Sequence, residues 1–357
     1  MKTLVLGYDH VGNDKRVVRT VNAFRKLGPV YYQSSSKSDF RSCEKVWSYV
    51  IDKVKMQGLS GLQKRRNFDK HILELVSDLD YDFVYFHGFP HSMPLKVFRC
   101  AKERGKKIFY DLHEIIPVQF LPEQYSFLNP ILWQILKAQL SLVAGVIGVS
   151  GDAMKMIFDK TEISKPLLIV PNYANDSFSL FDSHIKREEI AIVGGSSRKT
   201  LINSDLLREL KKDFRLISIG AKCDIADECL PFMDYDLMMR RIASVQFTLL
   251  SYQNRLDEQY ANEIYSLPNR FYDSLAAGTP ILLAKRFVTM RKIIERTHTG
   301  LVLDLLLEPD ECLPMIRKAL NSYDNLLENL RIHHDEFVWN TSKENEFVNF
   351  ITTVLDN

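Results

Sequence analysis

Short apolar runs alternate with segments of helical periodicity along the whole chain. In the first half the strand candidates are Thr3–Leu6, Val30–Tyr32, Phe83–Phe86, Lys107–Tyr110, Val146–Val149 and Leu167–Val170. Helical spacing runs through Lys15–Leu27, Lys45–Lys55, Asn67–Asp78, Pro94–Arg104, Pro130–Leu142 and Asp152–Asp159. Strands that are apolar at every position are buried on both faces, as in parallel sheets, and their alternation with helices predicts a doubly wound α/β domain.

The pattern restarts after a polar Pro-Asn turn in IVPNYANDSF (Ile169–Phe178). The second series has strands at Ala191–Gly195, Arg215–Gly220, Phe247–Tyr252, Pro280–Ala284 and Gly300–Leu305. Helices are predicted near Ser204–Lys211, Leu237–Ala243 and Val288–Arg296, and long helical segments fill Pro309 to the end. The reading is therefore two Rossmann-like domains, an N-terminal one over 1–172 and a C-terminal one over 173–336. The last helix, from about residue 337, returns to the first domain. Two such domains face a cleft, and ligands of open α/β sheets bind beyond the carboxyl ends of the strands.

At 357 residues the chain is long enough for two ordinary domains, and 46% hydrophobic with 26% charged residues fits globular cores. A net charge of +2 gives no reason to expect nucleic acid. Cys43, Cys100, Cys223, Cys229 and Cys312 are scattered without a CxxC pair, which argues for a reducing compartment and against a zinc or disulfide framework. The N-terminal apolar run is too short for a signal peptide, and Phe127–Val149 is broken by Gln134, Lys137 and Gln139. A cytoplasmic protein is expected.

One stretch carries more chemistry than packing requires. In SLPNRFYDSLAAGTPI (Ser266–Ile281), Pro268 suits a helix start and the free amides near Asn269 make an anion site. Arg270 can add a charge-assisted bond to phosphate, and Asp273, about a turn further on, can accept from a ribose diol. Gly278 ends the helix. Read as packing alone, the same residues make an amphipathic helix with a salt bridge at Arg270.

This stretch resembles the S-P-N-K-x-F/Y-E-Y-x-A-A-G-x-P segment of GT-B glycosyltransferases, in particular the large retaining family four. It has Arg270 for the usual Lys, Asp273 for the usual Glu, and Tyr265 where many members carry a first glutamate. VGNDKRVVRTVNAF (Val11–Phe24) resembles the family's D-P-R-V-x-R-E segment, where a loop near Gly12 approaches the donor, and Asn13 or Asp14 can cap the following helix. FYDLHEIIP (Phe109–Pro117) resembles Y-D-x-H-E-x-x-P, which implies that His113, with Glu114, faces the donor sugar. His87 and His91 in YFHGFPHSMP (Tyr85–Pro94) are weaker acceptor-side candidates. VIGVSGDAM (Val146–Met154) resembles the segment before the interdomain turn, with Ser150 as a helix cap. GGSSRKTL (Gly194–Leu201) resembles the diphosphate-binding segment, which assigns Arg198 and Lys199 to phosphate.

The resemblance implies a retaining transferase that moves a sugar from a nucleotide-diphosphate donor, UDP first and GDP next. The acceptor would be a glycan or a lipid-linked glycan, as in bacterial surface polysaccharide synthesis. No cofactor or metal is implied. The D-x-D patterns in SDLDYD (Ser77–Asp82) and MDYDLMM (Met233–Met239) read as turns, with Asp236 as a helix cap. The basic segment KMQGLSGLQKRRNFDKH (Lys55–His71) suits contact with the inner face of a membrane. Two other readings stay open: a nucleotide-sugar 2-epimerase on the same fold, and a lapsed site kept as a binding partner. No dinucleotide fingerprint is present, because Gly7 and Gly12 are too far apart for GxGxxG.

Overall fold

The structure, a computed structural model, describes residues 1–8, 14–34, 46–50, 57–88, 92–119, 123–175, 186–194, 199–220, 222–253 and 260–357. The chain divides into two compact units, Met1–Pro171 with Thr341–Asn357, and Asn172–Asn340.

The first unit is built on seven parallel strands: β1 (Thr3–Leu6), β2 (Val30–Ser34), β3 (Val46–Val50), β4 (Phe83–His87), β5 (Lys107–Leu112), β6 (Gly145–Gly148) and β7 (Leu167–Ile169). Their order across the sheet is β3-β2-β1-β4-β5-β6-β7, so the winding reverses between β1 and β4. The central strands β1, β4 and β6 are buried at every position, as continuous apolar runs require. An aromatic cluster fills the core: Phe24 lies 5.5 Å from Phe83 and 5.0 Å from Tyr85. The terminal helix Thr341–Asp356 closes it, with Phe347 5.4 Å from Phe24 and Phe350 6.3 Å from Phe109.

The second unit contains β8 (Ala174–Asn175), β9 (Arg187–Val193), β10 (Lys199–Thr200), β11 (Arg215–Ile219), β12 (Glu228–Leu230), β13 (Val245–Leu250), β14 (Tyr252–Gln253), β15 (Ile281–Ala284), β16 (Gly300–Leu303) and β17 (Val338–Trp339). Its main sheet is parallel in the order β12-β11-β9-β13-β15-β16, with the reversal between β9 and β13. The short antiparallel pair β10-β14 lies at the carboxyl side of this reversal, where Lys199 opposes Gln253.

Helix ends follow local chemistry. Asp14 accepts from Arg16 N at 2.8 Å and caps Lys15–Arg25, and Ser150 caps Gly151–Thr161 by accepting from Ala153 N at 3.3 Å. Three readings are corrected. Of the helix expected over Lys45–Lys55, the described residues Val46–Val50 are instead the edge strand β3, because Val-Trp-Ser-Tyr-Val is β-branched and aromatic and pairs with β2. The helix expected from Asn67 begins at Gly61, where Ser60 and Gln63 form a reciprocal capping box. Asp236 is not the cap of its helix; the chain turns in at Asp234, and Asp236 falls in the first helical turn.

Candidate functional site

In the second unit, polar and charged side chains gather at the carboxyl ends of β9, β11 and β13. A cavity of about 520 Å³ opens there, lined among others by Gly194, Lys199, Lys222, Ser218, Tyr252 and Arg270. That volume is within the range of small-molecule sites, roughly 300–1,000 Å³. Three cationic side chains face it, against Asp224 as the acid of its lining.

Arg270 is held rather than loose. Its Nη1 donates to Val193 O at 2.8 Å, and its guanidinium lies 4.3 Å from the centroid of the Tyr252 ring. Tyr252 is fixed in turn by Phe287, 4.7 Å away, and by a hydroxyl contact to Ser266 Oγ at 2.9 Å. Gly194 has φ +111, a conformation side chains disfavour, and a Cβ there would come within 3.0 Å of Arg270 Nη1. The glycine is what lets the guanidinium lie against the strand end.

The helix Asn269–Ala276 starts after Pro268, with Asn269 exposed in its first turn, and Gly278 follows its end at φ +70. Asp273 is 3% exposed and does not line the Arg270 cavity. Its Oδ1 accepts from the Tyr235 hydroxyl at 2.8 Å. Burial, then the Asp273 charge, pushes the Tyr235 phenol well up, so the phenol stays a donor. Tyr265 stands at the end of the short helix Ala261–Ile264, and the nearby acid Glu263 is spent on a buried pair with Arg286 at 3.1 Å.

The first unit gathers a different chemistry at the ends of β4 and β5. Register pairs His87 with Asp111, which puts both side chains on one face. His113 follows directly, and its Nε2 lies 3.3 Å from Asp111 Oδ2 and 3.1 Å from His87 Nδ1. His87 Nδ1 is also 3.3 Å from Asp111 Oδ2. The same carboxylate accepts from Arg16 Nε at 2.9 Å, from Arg16 Nη2, and from the Tyr85 hydroxyl at 2.8 Å. Burial alone would raise the Asp111 carboxyl, but the Arg16 guanidinium and the histidine contacts hold it well below the usual carboxylate range. Glu114 is half-buried beside His113.

Within this cluster His87, Asp111 and His113 present three ligand atoms close enough for one metal ion. Their spacing is near the edge of a tetrahedron with bonds of about 2.0–2.1 Å. However, Arg16 already binds the carboxylate with two nitrogens, and an added dication would sit beside a buried guanidinium. A hydrogen-bonded network fits these residues better than an ion.

Of the residues singled out from the sequence, Lys199 and Arg270 share one cavity, and His87 and His113 share one cluster. Gly12, His91 and Arg198 lie outside the described residues, as do the first two residues of Lys55–His71. In the described part of that segment Lys64 and Arg66 are exposed on the helix Gly61–Asp78. Sequence reasoning missed Arg16, Tyr85, Asp111, Lys222, Tyr235 and Tyr252. Asp111 left a signal, an acid inside an otherwise apolar strand; Lys222 left none.

No protein-family model matches the chain, and no curated protein matches it. Solved structures do. Sucrose-phosphate synthase from Thermosynechococcus elongatus superposes with a TM-score of 0.70 at 10% identity, covering 100% of both chains. The Anabaena protein HepE, solved in complex with UDP, gives 0.64 at 12% identity over 99% of this chain and 100% of its own. The UDP-GlcNAc 2-epimerase of Neisseria meningitidis, bound to UDP-GlcNAc, gives 0.61 at 11% identity over 99% and 100%. At these identities the likeness establishes the fold: this chain has the Rossmann-like GT-B fold of those proteins.

Proposed function

We propose that the chain is a glycosyltransferase that binds a nucleotide-diphosphate sugar in its second unit. The observation that carries this is the cavity at the β9/β13 reversal, where Arg270, Lys199 and Lys222 face one space. A diphosphate needs fixed cationic donors, and Arg270 is fixed by Tyr252, Val193 and Gly194 before any ligand arrives. Structural neighbours solved with UDP and with UDP-glucose support the donor class, and UDP is proposed first with GDP next.

In this reading Arg198 joins Lys199 and Arg270 on the phosphates, with the amides at Pro268 and Asn269 and the loop at Gly12. Asp273 takes the ribose, sharing its carboxylate with Tyr235; two carboxylate oxygens have lone pairs for both. The first unit holds a glycan or lipid-linked acceptor, His113 meets the sugar with Glu114 beside it, and His87 and His91 stand on the acceptor side. Transfer proceeds with retention and without a metal, the protein supplying position and charge stabilisation at the leaving phosphate. Among the described residues no helix is long and apolar enough to cross a membrane. The exposed Lys64 and Arg66 support peripheral contact with an anionic membrane face.

Calorimetry with UDP, GDP, ADP and CMP, in chelator, tests the donor site. One nucleoside diphosphate should bind wild type, and Arg270→Gln and Asp273→Ala should each bind it at least tenfold more weakly. Failure of all four to bind would sink the reading and favour a lapsed site. The likeness to the epimerase favours the second reading, an isomerase. Turnover of a nucleotide sugar to its 2-epimer without acceptor would establish it instead.

A further inference from the structure

We infer that Asp69 holds a sugar hydroxyl of the acceptor through its Oδ2, at the point where the winding of the first sheet reverses. The inference rests on the proposed reading of the first unit as the acceptor side, and it names a residue that meets the acceptor there.

Three side chains from separate parts of the chain meet at that point. Tyr8 follows β1 and Ser92 follows β4, the two neighbouring strands between which the winding reverses. Ligands of open α/β sheets bind beyond the carboxyl ends of the strands at such a point. Asp69 comes from the middle of the helix Gly61–Asp78. Its Oδ1 accepts from the Tyr8 hydroxyl at 2.9 Å and from Ser92 Oγ at 2.6 Å. Tyr8 and Ser92 are buried, and Asp69 is half-buried. Burial, then the Asp69 charge, pushes the Tyr8 phenol well up, so it remains a donor.

Both donors go to one oxygen. A carboxylate has about four lone-pair positions, shared equally by its oxygens, so Oδ2 keeps its own. Among the described residues no donor reaches Oδ2. The group is fixed through one oxygen and presents the other.

Tyr8 reaches Asp69 from a costly backbone. Its φ of +49 is left-handed, an outlier for a bulky side chain. The fully buried Gln33 holds it there: Tyr8 N donates to Gln33 Oε1 at 2.7 Å, and Gln33 Nε2 donates to Tyr8 O at 3.0 Å.

Charge selects the ligand. Burial raises the Asp69 carboxyl, and the Ser92 and Tyr8 hydroxyls and the Arg65 charge oppose the rise. Arg65 stands four residues earlier on the same helix, hence on the same face. An ammonium ligand would be repelled by that guanidinium, and an anionic one by the carboxylate. A neutral hydroxyl needs only the open lone pair.

The same contacts dock the helix on the sheet, so the test needs a readout that docking alone would not move. Saturation-transfer NMR of the full chain supplies it, with methyl α- and β-glycosides of glucose, galactose, mannose and N-acetylglucosamine, and with UDP or GDP present. Wild type should bind at least one of these glycosides. Asp69→Asn keeps an oxygen for Tyr8 and Ser92 and puts an amide nitrogen in place of Oδ2. It should bind that glycoside about tenfold more weakly. Its unfolding midpoint and its nucleoside diphosphate affinity should match wild type. The deoxy analogue lacking the contacted hydroxyl should bind both proteins alike. If Asp69→Asn fails to fold, Ser92→Ala replaces it and should weaken the glycoside about threefold. Equal glycoside binding by wild type and folded variant would overturn the inference, as would a loss that every deoxy analogue shares. A chain that binds UDP or GDP but no glycoside would overturn the assignment of Asp69 and leave the donor site standing. A chain that binds a glycoside through Asp69 but no nucleoside diphosphate would overturn the proposed function and leave Asp69 standing.

Discussion

Gly194 and Arg270 occupy one another's space: a Cβ on the glycine would lie 3.0 Å from the guanidinium nitrogen that donates to Val193. The relationship is selective, because the backbone at Gly194 also has φ +111. Gly194→Ala should both strain the strand end and push Arg270 off the Tyr252 ring. The expected result is a stability loss of about 1–2 kcal/mol and nucleoside diphosphate affinity at least tenfold lower. Chemical denaturation and calorimetry on the same preparation measure both.

Arg270→Lys should behave as a loss, although it keeps the charge. A lysine cannot lie flat on Tyr252 at 4.3 Å and donate to Val193 at once. Diphosphate affinity should fall about tenfold, roughly 1.4 kcal/mol, while binding of the free nucleoside stays unchanged. Equal losses for nucleoside and diphosphate would show that Arg270 does not read the phosphates.

The buried pair of Arg16 and Asp111 should be costly to break from one side. Arg16→Met leaves a carboxylate with no exposure and no guanidinium, at a cost of about 3–5 kcal/mol. The double variant Arg16→Met with Asp111→Leu should recover much of that in urea unfolding. The acid side follows the sign of the Asp111 shift. Its folded value lies below the unfolded one, so its contribution is present above the ordinary carboxylate range and fades as pH falls. Wild type should therefore lose more stability than the double variant on acidification.

Lys186 gives an opposite dependence at alkaline pH. Burial lowers its ammonium from 10.5 to about 8, although it donates to Ala243 O, Gly278 O and Thr279 Oγ1. Between those values the unfolded chain holds a proton that the folded chain has released, so stability rises with pH across the window. Relative to Lys186→Met, wild type should gain about 2 kcal/mol or less from pH 8 to 10.5, because the side chain is partly exposed. A difference that stays flat with pH would show that the three acceptors offset the burial.

Phe347 tests the returning helix. It is 2% exposed and lies 5.4 Å from Phe24 and 5.9 Å from Tyr85. Phe347→Ala should cost about 3–5 kcal/mol in denaturant unfolding. A loss near zero would mean that the terminal helix adds little to the first unit.

How much was legible can be judged residue by residue. Apolar runs such as Leu4–Leu6 and Phe83–Phe86 announced buried parallel strands, because only a sheet covered on both faces hides every side chain. Ser150 and Asp14 announced helix starts, since their oxygens serve amides two or three residues away. The edge strand β3 was misread because its polar neighbours imitate helical spacing, and pairing with β2 overrode that local preference. The stretch around Arg270 stood out from its residue types, whereas Lys222 in the same cavity did not.

The sequence by itself therefore determined the two series of strands and helices, the helix caps, and the short segments rich in Arg, His, Pro and Gly. Those properties depend on neighbours within a few residues, where backbone hydrogen bonds and side-chain periodicity act. Only the tertiary structure decided that Arg16 reaches Asp111, 95 residues on, and that Gly194 makes room for Arg270. It also turned Asp273 to Tyr235 rather than into the Arg270 cavity. Strand order sets these meetings. Winding each sheet outward from β1 and from β9 brings distant strand ends side by side, and no local preference records which side chains will then share a carboxylate.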